Sequence, residues 1–299
     1  MPAIQFGVNF HGVSSQQEFS QLVRRGDELG FDVLAAPDHL GAMGPFTVLA
    51  AAGAISERLR LRTYVLNVGF WNPALLAREI ATLDVLSGGR AELGLGAGHM
   101  KSEHDDAGLP WLPFSRRIES LEDIAVRVRR RLADPEHQPG ALQRPVPLMI
   151  AAMSRPGLAV AARYADIVGF AGLLQVPGAP LGTFRLASAA DTEERVREVR
   201  GLAGDRLYRS DVLLQHVVVG KSSRTAAEEM AAAVPQLSVA EILDSPFVLY
   251  ADDAEAAAAE LRRRHELYGF DSVTTHQPSM EALGLVIAAY RGGAAVAGG

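Results

Sequence analysis

Apolar runs that read as strands begin at positions 4, 33, 61 and 91, so a strand and its helix recur about every 29 residues. The first strand covers residues 4–9. Residues 15–30 have helical spacing: Ser15 and Glu18 stand as a capping-box pair, Phe19, Leu22, Val23 and Leu29 share one face, and Gly30 stops the run. Strand two spans 33–37, a helix follows near 45–56, and strand three spans 61–68. Asn72-Pro73 opens the next helix with a cap and a proline at the first helical position; Gly88-Gly89 ends it before strand four, 91–96.

The later units are looser. A helix over 114–132 leads into a proline-rich connector, 134–147. Residues 148–152, 166–169, 211–219 and 272–276 read as strands five to eight, with helices near 156–163, 192–202, 224–233, 254–268 and 279–290. Eight such units need about 250 residues, and 299 leaves room for short insertions. The expectation is an α/β fold, a (β/α)8 TIM barrel, as one domain over residues 1–291 with a disordered tail at 292–299. An open doubly wound sheet would require a glycine-rich phosphate loop after strand one, where only Gly12 stands, and the cluster after strand four has His99 where the dinucleotide pattern wants a third glycine.

Composition narrows the function. Cysteine is absent, which removes disulfides, thiolate metal sites and cysteine nucleophiles together. A formal net charge of −6 argues against nucleic acid as the main partner. No apolar run approaches the ~20 residues that span a bilayer, and residues 1–9 lack a basic leader, so a cytoplasmic protein without a membrane partner is expected.

In a barrel the chemistry belongs at the carboxyl ends of the strands. Strand one ends in Asn9-Phe10-His11, strand two in Pro37-Asp38-His39, strand three in Asn67, strand four in Gly98-His99, strand five in Ala152-Met153-Ser154, and strand eight in Thr275-His276-Gln277. A barrel hydrolase's metal site wants two histidines one residue apart on strand one, and only His11 is there, so no metal is expected. No serine elbow is present. An organic cofactor fits better: the glycines of Gly94–Gly98 let backbone approach a ligand closely, and Ser154-Arg155-Pro156 opens a helix as an anion site does. The same glycines also suit a tight strand-to-helix turn, and Arg155 also suits a solvated surface.

Longer stretches carry a resemblance. Ala36-Pro37-Asp38-His39, Arg60 to Leu66, Asn72-Pro73-Ala74, the run Ala81 to Arg90 and Leu93-Gly94-Leu95-Gly96-Ala97-Gly98 are similar to the luciferase-like monooxygenase superfamily, and Asp38-His39 resembles its branch that uses the deazaflavin coenzyme F420. The resemblance spans nearly the whole chain. It implies a bacterial-luciferase-like barrel with F420 in its mouth and FMN as the alternative cofactor. It implies a cis peptide bond at Tyr64–Val65 in a bulge behind the ring, Asp38 and His39 at the ring's edge and face, and Gly98, His99 and Ala152 to Arg155 on the phospholactyl arm. With Asn67, Gly96 and Ala97 these make up the cofactor set, and Arg155, Arg116 and Arg117 are candidates for the glutamyl tail. The family commonly forms homodimers.

The expected activity is hydride transfer between the deazaflavin C5 and a small organic substrate. His39 and His99 are the catalytic candidates, since an imidazole gains and loses a proton near neutral pH. His99 serves equally as a phosphate contact. His11, Met43, Trp71 and His276 are assigned to the substrate side. Relatives that oxidise glucose 6-phosphate carry Glu and Trp where His99 and Met43 stand, which argues against that substrate. An FMN-dependent monooxygenase and a non-catalytic cofactor-binding barrel are the alternatives. Residues 170–190 have the composition of a mobile loop.

Overall fold

The helix-start signals act where they are read. Ser15 Oγ accepts the Glu18 amide at 3.1 Å and starts helix Gln16–Glu28, and Asn72 Oδ1 accepts the Ala74 amide at 2.8 Å and starts helix Pro73–Leu86. The Glu18 carboxylate reaches the Ser14 amide, at 2.8 Å, rather than that of Ser15.

The computed structural model describes residues 4–180 and 182–296. Eight parallel strands form one closed sheet: β1 (Gln5–Asn9), β2 (Val33–Ala36), β3 (Arg60–Thr63), β4 (Ala91–Gly96), β5 (Leu148–Ala151), β6 (Ile167–Phe170), β7 (Arg209–Leu214) and β8 (Ser272–His276). Asn9 stands opposite His276 where β1 meets β8, and Arg62 stands opposite Glu92 where β3 meets β4, so the ring closes. The protein is a (β/α)8 TIM barrel.

Side chains fill the barrel in layers. Arg62, Glu92, Asp211, Ser272 and Thr274 make a buried polar layer, and Ala35, Tyr64, Met149, Ile167 and Leu213 form an apolar cluster. In the polar layer Arg62 lies 2.6 Å from Glu92 and 2.8 Å from Asp211, with both ends of each pair fully buried. Asp211 also accepts from Tyr64 Oη at 2.6 Å, Ser272 Oγ at 2.5 Å and Thr274 Oγ1 at 2.9 Å.

Strand three is interrupted. Arg62 faces Glu92 and Leu66 faces Leu95, four steps on β3 against three on β4, so one extra residue bulges out. The short strand Leu66–Asn67 continues beyond it, and the Tyr64–Val65 peptide bond is cis. The expected strand 211–219 is likewise two strands. β7 ends at Leu214, the Gln215 amide turns to Phe247 O at 2.7 Å, and His216–Val219 pairs outside the barrel with Val248–Ala251, a strand the sequence reading lacked.

Residues 170–190 are not an unstructured loop. Leu173–Gln175 and Phe184–Leu186 pair as an antiparallel hairpin, and Leu186 buries itself in a small cluster with Leu237, Ile242, Val248 and Tyr250. The last helix, Met280–Val296, continues past the expected end at 290; residues 297–299 of the expected tail lie outside the described residues.

Asp211→Ala would leave Arg62 with one of its two carboxylate partners and Tyr64 without its acceptor. The expected cost is about 3–5 kcal/mol of unfolding free energy, read from denaturant melts, and a cost near zero would refute the role given to this layer. Burial alone would raise the Glu92 carboxyl, but Arg62, Arg60 and Arg209 outweigh it and hold it at about 2. Its contribution to stability is therefore complete above the ordinary value of 4.5 and is lost as pH falls from there toward about 2.

Candidate active site

The run Gly94 to Gly98 answers to packing first. A Cβ at Gly94 would stand 2.0 Å from Thr63 O, and one at Gly98, where φ is +73°, would stand 2.4 Å from Asn67 Oδ1. A Cβ at Gly96 would press on Val65 at 2.7 Å. The glycines let the β3 bulge lie flat on β4, and the bulge then delivers Asn67 to the carboxyl end of the barrel.

Asn67 organises that rim. Its amide donates to Asp38 Oδ2 at 3.2 Å, its Oδ1 accepts from the Gly69 amide at 3.1 Å, and its Nδ2 donates to His104 Nε2 at 3.2 Å. His104 is buried, so its remaining N–H goes to Pro110 O at 3.2 Å, and its ring packs between Phe70 and Trp111. Trp71 Nε1 donates to Asp38 Oδ2 at 2.8 Å while its ring meets Phe46. Burial raises the Asp38 carboxyl, and the bonds from Trp71 and Asn67 work against that rise.

His39, beside Asp38, turns to a residue the sequence reading passed over. Its Nδ1 donates to the nearly buried Glu103 Oε1 at 2.7 Å. The accepting carboxylate places the neutral ring's proton on Nδ1 and leaves the Nε2 lone pair available. Glu103 comes from the short helix Lys101–Asp106, which no hydrophobic period announces. A carboxylate thus reaches His39 from four residues beyond His99. His99 packs edge-on against His39 at 5.5 Å between centroids and against Phe184 of the hairpin at 5.7 Å. Burial, then His39, lowers the His99 ring's proton affinity.

A second group lines the wall made by β8, β1 and β7. His11 Nε2 and His276 Nδ1 are 2.8 Å apart, and His276 Nε2 lies 3.3 Å from Gln215 Oε1. Gln215 Nε2 donates to Ala171 O at 2.7 Å, which fixes the amide with its oxygen toward His276. Each donor in turn is thereby set: His276 donates through Nε2 to Gln215, and His11 donates through Nε2 to His276. Burial pushes the His276 ring down to about 4, with His11 adding to the effect. Burial and then His39 lower His11.

Asn9 was not singled out from the sequence. It is buried at the end of β1, and its Oδ1 has no partner among the described residues. Arg117 Nε is likewise buried and unpartnered, while Arg117 Nη1 donates to Gly98 O and its guanidinium lies 4.0 Å over the Trp111 ring.

Other expected residues make contacts of their own. The Tyr64 side chain points into the barrel toward Asp211, and Val65 packs on Gly96. Arg155 is 73% exposed and pairs with Glu194 at 2.6 Å, and Ser154 is spent capping the Gly157 amide. Met153 O accepts from Arg195, Ala152 packs on Gly157, and Arg116 pairs with Glu119 on the surface. Met43 is exposed on the loop after β2. Ala97 is half-buried against the core. A cleft of about 640 Å3 at the opposite, amino-terminal face holds Arg58, Arg60, Arg209 and Arg291, each already bonded to a carboxylate or amide of the chain. It offers no converging chemistry.

A family model described as luciferase-like monooxygenase matches residues 4–287. The chain belongs to that family. Among curated members it is similar to the F420-dependent glucose-6-phosphate dehydrogenase of Intrasporangium calvum, 37% identical over 117 residues that make up 36% of this chain and 35% of the relative. It is also similar to the 5,10-methylenetetrahydromethanopterin reductase of Archaeoglobus fulgidus, 31% identical over 122 residues, 40% of this chain and 36% of that one. The match thus spans about a third of the length of these curated relatives.

Solved structures with the same fold include an F420-dependent secondary alcohol dehydrogenase in complex with an F420-acetone adduct, with a TM-score of 0.74 at 17% identity over 97% of this chain and 99% of the other. The monooxygenase RslO1 from Streptomyces bottropensis has a TM-score of 0.73 at 20% identity over 97% of this chain and 100% of that one. Family membership accords with the barrel. The His39–Glu103 pair and the His11–His276–Gln215 chain are read here from this chain's own geometry.

The His276 ring gives a pH test. The unfolded chain takes a proton on this histidine near 6.5 and the folded one only near 4, so the unfolded state binds more protons between the two. Stability therefore falls as pH drops through that window. His276→Gln should flatten the pH dependence of the unfolding free energy there, and an unchanged slope would contradict the neutral-ring assignment.

Proposed function

We propose that this protein is an F420-dependent oxidoreductase that transfers a hydride between the deazaflavin and a small organic molecule. The observation that carries the reading is His39, anchored through Nδ1 by Glu103 so that Nε2 stays free at the carboxyl end of the barrel. Family membership and the F420-dependent relatives support it.

The residues present fit the cofactor. Among the described residues Asn9 Oδ1 is a buried acceptor without a donor, and Arg117 Nε a buried donor without an acceptor. A ring with an N–H edge and an arm with a phosphate meet those two needs. Asn9, with Asp38 and Asn67, would hold the ring, and Arg117 beside Gly98 and His99 would hold the arm. Bound F420 would supply a carbon that accepts or gives up a hydride.

The chain's own residues manage the proton. His39 Nε2 takes the substrate's proton on oxidation or returns it on reduction, and Glu103 stabilises the imidazolium that forms. Phe184 of the hairpin packs edge-on against His99 and holds its ring beside His39. The reading takes in a small-molecule substrate, a homodimer and a cytoplasmic setting. Among the described residues no helix is long and apolar enough to cross a membrane.

Fluorescence titration of the purified protein with oxidised F420 and separately with FMN tests the cofactor. F420 should bind and FMN should bind far more weakly, and Asn9→Leu should weaken F420 by about tenfold or more. FMN preference would move the protein to oxygen-dependent chemistry, and binding of neither would overturn the reading.

A further inference from the structure

Apart from Arg117, the cations carried by the mouth loops each have a carboxylate partner. The loops that follow β1, β2, β3 and β8 (residues 10–15, 37–44, 64–72 and 277–279) contain neither Lys nor Arg. Those after β4, β5 and β6 bring Lys101, Arg155 and Arg185, each 2.6 Å from a carboxylate of its own neighbourhood, Asp105, Glu194 and Asp191. The segment after β7 brings Lys221 and Arg224, which pair with Glu229 and Glu228. Of the ionic side chains that reach the site, Asp38 and Glu103 are acids, and Arg117 lies at Gly98 on the side assigned to the cofactor arm.

The same loops expose apolar side chains. Leu40 and Met43 after β2 are 47% and 46% exposed, and Met100 after β4 and Leu173 after β6 are 39% and 37% exposed. On the opposite wall the polar groups are an uncharged chain, Gln215–His276–His11, whose donors and acceptors largely satisfy one another.

Resting on the hydride-transfer reading above, we propose that the substrate taken between these walls is uncharged and largely apolar, such as an aliphatic or alicyclic alcohol or its ketone, and that phosphorylated and carboxylated compounds are excluded. An anion placed there loses its hydration, finds no cation but Arg117 on the cofactor side, and meets Asp38 and Glu103. An apolar body instead covers Leu40, Met43, Met100 and Leu173, and its one oxygen has imidazole nitrogens on either wall. Arg117 does not relax the exclusion, because its Nη1 is bound to Gly98 O on the side assigned to the cofactor arm.

Cyclohexanol and cyclohexyl phosphate share a ring and differ in charge, so they separate the terms. Each is titrated into the protein with and without F420, following the ring nitrogen resonances of His11 and His276. Cyclohexanol should move them at concentrations about tenfold or more below those needed for cyclohexyl phosphate. Met43→Lys should reverse the order by adding a cation at the rim. Equal or tighter binding of the phosphate by the unaltered protein, or no response to either compound, overturns the proposal. F420 fluorescence in the same samples reports separately on the cofactor, so loss of that signal with a retained cyclohexanol response indicts the cofactor reading and not the substrate class.

Discussion

One buried carboxylate holds the lower barrel together. Asp211 on β7 receives Arg62 and Tyr64 from the β3 side and Ser272 and Thr274 from β8, and Arg62 passes the link on to Glu92 of β4. Charges buried in this way are costly to desolvate, and they persist because each has its partners in place. A hydrophobic layer would tolerate sliding; this one accepts a single arrangement of donors. It ties four strands in one register, and that register sets where the bulge of strand three must fall.

The site follows from that register. With Tyr64 drawn down to Asp211, the extra residue of β3 lies against Gly94 and Gly96, and Leu66–Asn67 resumes the strand. Asn67 then fixes Asp38 and His104 through hydrogen bonds, and His104 anchors the segment that carries Trp111. The helix bearing His104 also bears Glu103, so the same support that fixes one fixes the partner of His39. The glycine run is thus a packing device whose consequence is chemical, because larger residues there would push the bulge and Asn67 out of line.

Two assemblies of opposite character face each other across the mouth. His39 with Glu103 combines an imidazole and an acid, as a proton carrier requires. His11 with His276 and Gln215 is a neutral chain whose direction is set by a backbone carbonyl, Ala171 O. The first suits a group that changes charge during reaction, the second a wall that does not.

Much of this was legible in the chain. Strand spacing near 29 residues, the caps at Ser15 and Asn72 and the polar residues at strand ends gave the barrel and the location of Asp38, His39, His99, His11 and His276, because period and capping are local properties. The parts that were missed depend on contacts between distant segments. Glu103 lies 64 residues from His39, Gln215 lies 61 from His276, and the hairpin at 173–186 closes only by pairing with itself and packing on residues past 237. Arg155 opens a helix as an anion anchor does, and only the folded chain brings Glu194 of helix Ala189–Ala203 to 2.6 Å from it. Sequence alone determined which side chains arrive at the carboxyl ends of the strands, since the alternation of strand and helix decides that locally. Tertiary structure decided which of them are free to act, since a charge or lone pair is available only where no other segment has already met it.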